Sequence, residues 1–242
     1  MNEWKFRAAA IAAMICLIGS CAQASPSAQP QVRLASQSPT CARLFTAIKQ
    51  RAVELVDSAL KDGADIECPA GRLSSTPLME ASADGSLAIV KLLIKRGARV
   101  NAVTDTFGLT ALSRAAYEGH ADVVKYLIAH GANVNANVTT HGSARALMSE
   151  GIWAHYQSPL GAAAFGGRTE IISLLLDAGA KIDAQDGCAY TPLMWAASDG
   201  HREAVTLLLQ RGADRDIKTE MGDTAQDLAK RYEHPDIVNA LK

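Results

Sequence analysis

A Gly-Ala pair recurs at Gly63-Ala64, Gly97-Ala98, Gly131-Ala132, Gly179-Ala180 and Gly212-Ala213, at intervals of 34, 34, 48 and 33 residues. A second phrase keeps nearly the same step. Thr76-Pro77-Leu78, Thr110-Ala111-Leu112, Ser158-Pro159-Leu160, Thr191-Pro192-Leu193 and Thr224-Ala225 follow at 34, 48, 33 and 33 residues. Two independent anchors on one period constrain the fold more than any other feature. Units this short cannot each bury a core, so they must stack and share one.

Each unit reads as a helix pair. The Thr or Ser hydroxyl caps a first, inner helix, and proline at the next position loses nothing because that amide is unpaired anyway. The inner helix is short and small-sided, as in Ala115-Ala116, Ala162-Ala163-Ala164 and Ala196-Ala197, and 44 of the 242 residues are alanine. A turn follows at Gly119-His120 and Gly200-His201. Then comes an amphipathic outer helix such as Ile89-Val90-Lys91-Leu92-Leu93-Ile94, stopped by a glycine able to take the left-handed conformation. The run Asp105-x-x-Gly108-x-Thr110-Ala111-Leu112, Ala115-Ala116-x-x-Gly119-His120, Val123-Val124-Lys125-x-Leu127, Gly131-Ala132-Asn133-Val134-Asn135 resembles the ankyrin repeat pattern. The resemblance covers roughly residues 42–242 and implies an all-α repeat solenoid with β-hairpin fingers.

Six units are expected, at about 42–70, 71–104, 105–137, 153–185, 186–218 and 219–242, within a repeat domain spanning 41–242. The first lacks the Thr-Pro start and the Gly-His turn, and the last stops after its second helix. Such atypical ends suit a solenoid, whose terminal units face water. The 48-residue interval carries an insertion at about 138–157, with Met148, Ile152, Trp153 and Tyr156. Insertions in solenoids map to loops, often on the binding face, and an unselected loop is the plain alternative.

The N-terminal segment reads differently. Lys5 and Arg7 precede an apolar or small run from Ala8 to Gly19, the length of a signal-peptide core and short for a membrane span. Two cleavage readings stand. Ala22-Gln23-Ala24 before Ser25 suits ordinary signal peptidase, whereas Leu17-Ile18-Gly19-Ser20-Cys21 resembles a bacterial lipobox with Cys21 as the acylated residue. Residues 1–20 form the signal segment, and the Ser-, Pro- and Gln-rich stretch 21–40 a flexible tether. Both readings place the protein outside the cytoplasm. The lipobox reading adds a lipid anchor to the outer membrane, and the ordinary one a free periplasmic chain, secreted if it is not retained.

Signatures of catalysis are missing: no Gly-x-Ser-x-Gly elbow, no phosphate-cradling glycine loop, no His-Glu-x-x-His site. His120, His201 and His234 sit at the repeat turn, where local hydrogen bonding accounts for them. His130, His141 and His155 lack a third ligand for a metal. Glu80, Asp84, Glu118 and Asp199 come from successive units and suit a solvated groove. Without residues 1–20, 22 basic face 24 acidic side chains, which argues against nucleic acid. Cys41 lies just before the first inner helix and Cys68 begins the next finger, one repeat apart. Adjacent fingers run side by side, so the two can pair as a disulfide outside the cytoplasm; two buried thiols are the alternative. Cys188, at a finger tip, has no evident partner.

The resemblance implies binding through finger tips and the exposed side of the inner helices. Those positions hold Arg72, Leu73, Phe107, Leu109, His155, Cys188, Tyr190, Glu220 and Met221 on the fingers. On the helices they hold Glu80, Asp84, Arg114, Tyr117, Glu118, Phe165, Trp195, Asp199, Leu228, Arg231 and Tyr232. Outside the leader the chain has ten aromatics, and six fall at these positions: Phe107, Tyr117, Phe165, Tyr190, Trp195 and Tyr232. Trp153 and Tyr156 lie in the insertion. A core of Leu, Val, Ile and Ala needs no rings, whereas interfaces use them as anchors; rings that plug gaps between units are the alternative. The expected contact set is Phe107, Arg114, Tyr117, Glu118, Trp153, Tyr156, Phe165, Tyr190, Trp195 and Asp199. The expected function is a non-catalytic adaptor in the bacterial periplasm that holds a protein partner, with no cofactor, metal or nucleic acid. The alternatives are an inhibitor or immunity-type protein for an enzyme or toxin, or a helper that maintains a periplasmic enzyme under stress.

Overall fold

The computed structural model describes residues 38–71, 74–104, 108–136, 158–187 and 189–242. Among them are twelve helices in six antiparallel pairs: α1 (Pro39–Lys49) with α2 (Val53–Lys61), α3 (Pro77–Ala83) with α4 (Leu87–Lys95), α5 (Ala111–Glu118) with α6 (Ala121–Ala129), α7 (Pro159–Phe165) with α8 (Thr169–Asp177), α9 (Pro192–Ser198) with α10 (Arg202–Gln210), and α11 (Ala225–Arg231) with α12 (Pro235–Ala240). Inner helices pack on inner helices and outer on outer, in chain order. None of the described helices is long and apolar enough to cross a membrane.

The repeated phrases have mechanical jobs. Thr76, Thr110, Ser158, Thr191 and Thr224 each accept a hydrogen bond from the amide three residues on, at 3.0–3.3 Å. Outer helices bury an i, i+1, i+4 stripe, as in Ile89, Val90, Leu93 and Ile171, Ile172, Leu175. Each such side chain contributes about 1.5–3 kcal/mol when fully buried. The inner alanines, including Ala116, Ala164 and Ala197, are completely covered, which lets neighbouring backbones close in. Ser82 occupies the matching place in α3, and its hydroxyl is buried without a hydrogen-bond partner. Ser82→Ala is therefore expected to raise stability by about 1 kcal/mol in urea denaturation, because an unpaired buried hydroxyl carries its whole desolvation cost.

The turn between helices couples adjacent units. Nε2–H of His120, His201 and His234 donates to the carbonyl of Ala83, Phe165 and Ser198 in the preceding unit, at 2.9–3.1 Å. Arg168 makes the same bond with Nε to Tyr117 (3.1 Å). The ring of His234 lies so close to Gly200 that a Cβ there would sit 2.7 Å from it, and Gly200 also has φ +82°. In the last described unit Glu233 takes the same left-handed turn (φ +61°). Arg51 does so in the first unit (φ +55°). Its successor offers only Ser86 at the His position, leaving Arg51 free to grip Asp84 through Nε (2.8 Å) and Nη2.

A second ladder runs along the finger bases. Asn101 donates to the Gly131 carbonyl (2.9 Å) and accepts from the Asn133 amide (2.8 Å). Asn135 does the same to Gly179 (3.0 Å) and Lys181 (2.8 Å). The 48-residue interval thus leaves the stacking register intact: α7 and α8 sit on α5 and α6 as any neighbour would. The insertion at 138–157 and residues 1–37 lie outside the described residues. Ion pairs Arg96–Asp57 and Arg211–Asp177 also cross between units.

Three expectations need correction. The first unit does possess a start signal: Ser38 caps α1 through the Cys41 amide (3.2 Å) with Pro39 next to it. It lies off the repeat spacing because α1 carries an extra N-terminal turn, 11 residues against 7 or 8 in the other inner helices. Cys41 consequently lies within α1 rather than before it, joined by a disulfide to Cys68, with Cα atoms 6.4 Å apart. The fingers are not strand pairs among the described residues. They contain one isolated antiparallel bridge, Ala70 with Ser75. The other described fingers are closed by one cross-bond and one turn bond, such as Asp186 N–H to Tyr190 O (3.0 Å) with Ala189 N–H to Asp186 O (3.0 Å), too few for a ladder.

Candidate protein-binding face

Inner helices α5, α7 and α9, together with the fifth finger, bring four rings into one row. Tyr117 stacks with Phe165 at 5.9 Å between centroids, and Phe165 meets Trp195 edge-on at 5.7 Å. Tyr190, on the fifth finger, stacks on Trp195 at 4.4 Å. Tyr117 and Phe165 both stand seven residues after a cap, so the repeat itself superimposes them across the insertion. Aromatic contacts of this kind add about 0.5–1.5 kcal/mol each beyond the area buried.

The members differ in role. Trp195 is only 7% exposed and belongs to the core. Its indole N–H donates to Asp186 Oδ2 (2.9 Å), while Asp186 Oδ1 accepts from the Tyr190 amide (2.9 Å). Trp195 is thus the anchor behind the row. Half-buried Tyr117, Phe165 and Tyr190 present the surface. Trp195, expected among the contact residues, stands four residues after the cap. That site faces the neighbouring helix: Ala162 there is fully covered, Leu228 likewise, and Arg114 pairs with Glu80 (3.3 Å). Leu228 is therefore core, not groove. So is Leu109 (5% exposed), whose backbone closes the third finger against Thr104.

Two fingers put a side chain where others have glycine. Gly108 and Gly222, two residues before their caps, have φ of +57° and +84°; Ser74 in the second finger and Ala189 in the fifth occupy that place with φ +51° and +60°. A side chain in the left-handed region costs about 1–2 kcal/mol, and such strain persists only where surroundings dictate it. Here the Ala189 amide donates to Asp186 O (3.0 Å) and its carbonyl accepts from Gln185 Nε2 (3.0 Å). Ala189→Gly is expected to raise the unfolding free energy by about 1 kcal/mol, read from the denaturant midpoint, without displacing Tyr190.

The remaining residues frame the row. Glu118 is exposed at the end of α5 and has no ion pair among the described residues; Asp199 is exposed just beyond α9 and contacts His201 Nε2 (3.0 Å). Glu220 and Met221 are exposed on the last finger, and Arg231 holds Asp223 (2.7 Å). Burial pushes the hydroxyl of half-buried Tyr232 up. Arg72, Leu73, Phe107, Trp153, His155, Tyr156 and Cys188 lie outside the described residues, as do His141 and Cys21. Sequence reasoning missed Asp186, whose only signal was its place five residues before Thr191. Among the described residues no group of three or more His, Cys, Asp or Glu side chains could hold a metal.

His201 couples the row to pH. Its hydrogen bond with Asp199 raises the imidazole pKa, against burial, which lowers it. A raised folded-state pKa stabilises fully below the unfolded value of about 6.5 and fades as pH climbs through the folded one. Asp84 titrates lower: burial opposes ionisation, but hydrogen bonds from Ser86 and Arg51 outweigh it, so its contribution fades only in acid. The melting temperature is expected to fall as pH rises past the unfolded imidazole value of about 6.5. Asp199→Asn should flatten that fall; an unchanged slope in the variant rules the coupling out.

The family model for ankyrin repeats (3 copies) matches residues 44–138 and 144–242. The chain belongs to the ankyrin repeat family. No curated protein matches it. The break in the match falls inside the 48-residue interval, and the ankyrin units on either side stack without a gap. Ankyrin repeats generally mediate protein–protein interaction, which gives the ring row its context.

Proposed function

We propose that this ankyrin protein is a non-catalytic adaptor that holds a protein partner on the ring row of α5, α7, α9 and the fifth finger. One observation carries the reading: three half-buried rings stand side by side on the inner-helix face, propped by a buried Trp195 that Asp186 orients. Rigid, pre-positioned aromatics lose little entropy on binding and make efficient anchors. A photo-crosslinking amino acid at Tyr117 or Phe165, in cells, should capture one protein that the same group at Tyr126 on the outer helix α6 does not. Equal capture from Tyr126 removes the face from consideration.

We further propose that the protein works in the bacterial periplasm, carried there by the apolar segment Ala8 to Gly19, with Cys21 lipidated or Ser25 as first residue. The Cys41–Cys68 disulfide supports this, since such bonds persist in oxidising compartments. Intact mass of the protein purified from its own cells decides between the two ends. A chain that still begins at Met1 rules out export.

A further inference from the structure

We propose that the first unit is a redox latch: a thiol reaches the Cys41–Cys68 bond only after α1 and α2 have come away from the second unit, and reduction then leaves them free. Burial is the starting point. Cys41 is 3% exposed and Cys68 5%, and both belong to the continuous apolar core. Thiol–disulfide exchange needs a thiolate to meet one of the two sulfurs, so its rate follows access. A pair covered to this degree is shut off from a dissolved dithiol while the stack is closed.

The first junction is built to part before the others. α1 meets α3 less closely than the later inner helices meet one another, and α2 buries only Val56 and Ala59. Polar clasps at the rim complete the hold. Arg51 grips Asp84 with Nε on Oδ2 (2.8 Å) and Nη2 on the backbone carbonyl (2.9 Å). Asp57 pairs with Arg96, and Glu67 accepts the Arg99 amide (2.7 Å). Units of a solenoid lean on their neighbours alone, so this junction can open while α5, α7 and α9 stay stacked.

In the open state one thiolate of a dithiol attacks Sγ of either cysteine. The S–S bond breaks, and the other Sγ leaves as a thiolate that takes up a proton. The second thiol of the reductant then closes on the mixed disulfide, which frees the first cysteine and carries the reductant off as a cyclic disulfide. Two thiols remain, and the restraint that brought α1 back to its place is gone. Loosening alone is reversed by the intact bond, and reductant alone meets a closed core. The latch opens only when both act together.

The test is the rate at which dithiothreitol opens the bond in the oxidised full chain, read by alkylating samples over time and weighing the peptides that carry Cys41 and Cys68. Three proteins are compared, each checked for parent-like helix content by circular dichroism. They are the parent, Arg51→Ala at the first junction, and Arg211→Ala, which removes the Arg211–Asp177 pair between the fourth and fifth units. Oxidised glutathione, an unstructured disulfide, sets the unhindered rate. The parent should react at least about a hundred-fold more slowly than glutathione, and urea well below the unfolding midpoint should speed it. Arg51→Ala should react about three- to five-fold faster than the parent, the size of one well-formed surface ion pair, and Arg211→Ala at the parent rate. A parent that reacts like glutathione overturns the proposal, as does an Arg51→Ala rate equal to the parent's. Equal acceleration in both variants overturns it too, because access would then follow unfolding of the whole stack.

Discussion

Replacing Trp195 with alanine is expected to cost about 3–5 kcal/mol of stability, the range for removing a large buried ring. Three losses coincide. The indole leaves a cavity between α7 and α9, Tyr190 and Phe165 lose their shared contact, and Asp186 Oδ2 loses its N–H donor. Such a cost is a large share of the 5–15 kcal/mol that folded domains typically have in hand. Because each unit of a solenoid leans only on its neighbours, the damage should centre on one junction. Hydrogen exchange should accelerate in α9 and α10 well before α3 and α4. Trp195→Phe keeps a ring but forfeits the Asp186 bond, and is expected to cost about 1–2 kcal/mol. Parent-like urea curves for the alanine variant would mean that Trp195 is not the support of the row, and the pre-positioning argument would go with it.

Opening the Cys41–Cys68 disulfide has the second large effect. The two residues are 27 apart in sequence, and a cross-link over a loop of that length stabilises by about 3–4 kcal/mol in the chain-entropy model. The first unit depends on it for a structural reason. Its outer helix α2 buries only Val56 and Ala59, against three large or β-branched residues in α4, α6 and α8. Among the described residues it also packs on one neighbouring unit only, the second. Cys41→Ser with Cys68→Ser, or reduction with a thiol, should therefore melt α1 and α2 ahead of the rest. Circular dichroism would show a separate low-temperature step, and thiol labelling would appear at both positions. If oxidised and reduced protein unfold at the same urea concentration, the bond contributes nothing.

How much of this was legible from residues alone follows from the kind of information each feature needs. The fold was legible, because a cap, a small-sided helix, a turn and a left-handed glycine are local devices. Recurring at Thr76, Thr110, Ser158, Thr191 and Thr224, they leave stacking as the one way to bury the stripes of the outer helices. The positions of Tyr117 and Phe165 on one face followed from the same register, insertion notwithstanding. The extra turn of α1 was hidden because Ser38-Pro39 lies off the repeat spacing, where a local signal has no periodic support.

Depth within the stack could not be read this way. Position four after each cap holds Glu80, Arg114, Ala162, Trp195 and Leu228, residue types that suggest anything from a wet groove to a core. Only the separation between neighbouring inner helices decides that Ala162, Trp195 and Leu228 are covered while Glu80 and Arg114 stay half-buried. Nor could sequence join Asp186 to Trp195, nine residues apart on a finger and a helix, or show that Ala189 takes a glycine's conformation to hold them together. The sequence alone determined that this chain is a stack of helix pairs and which edge carries its aromatics, because those depend on contacts repeated within and between identical units. Only the tertiary structure decided which rings lie half-buried at the surface and which one supports them, because that depends on distances between units that differ.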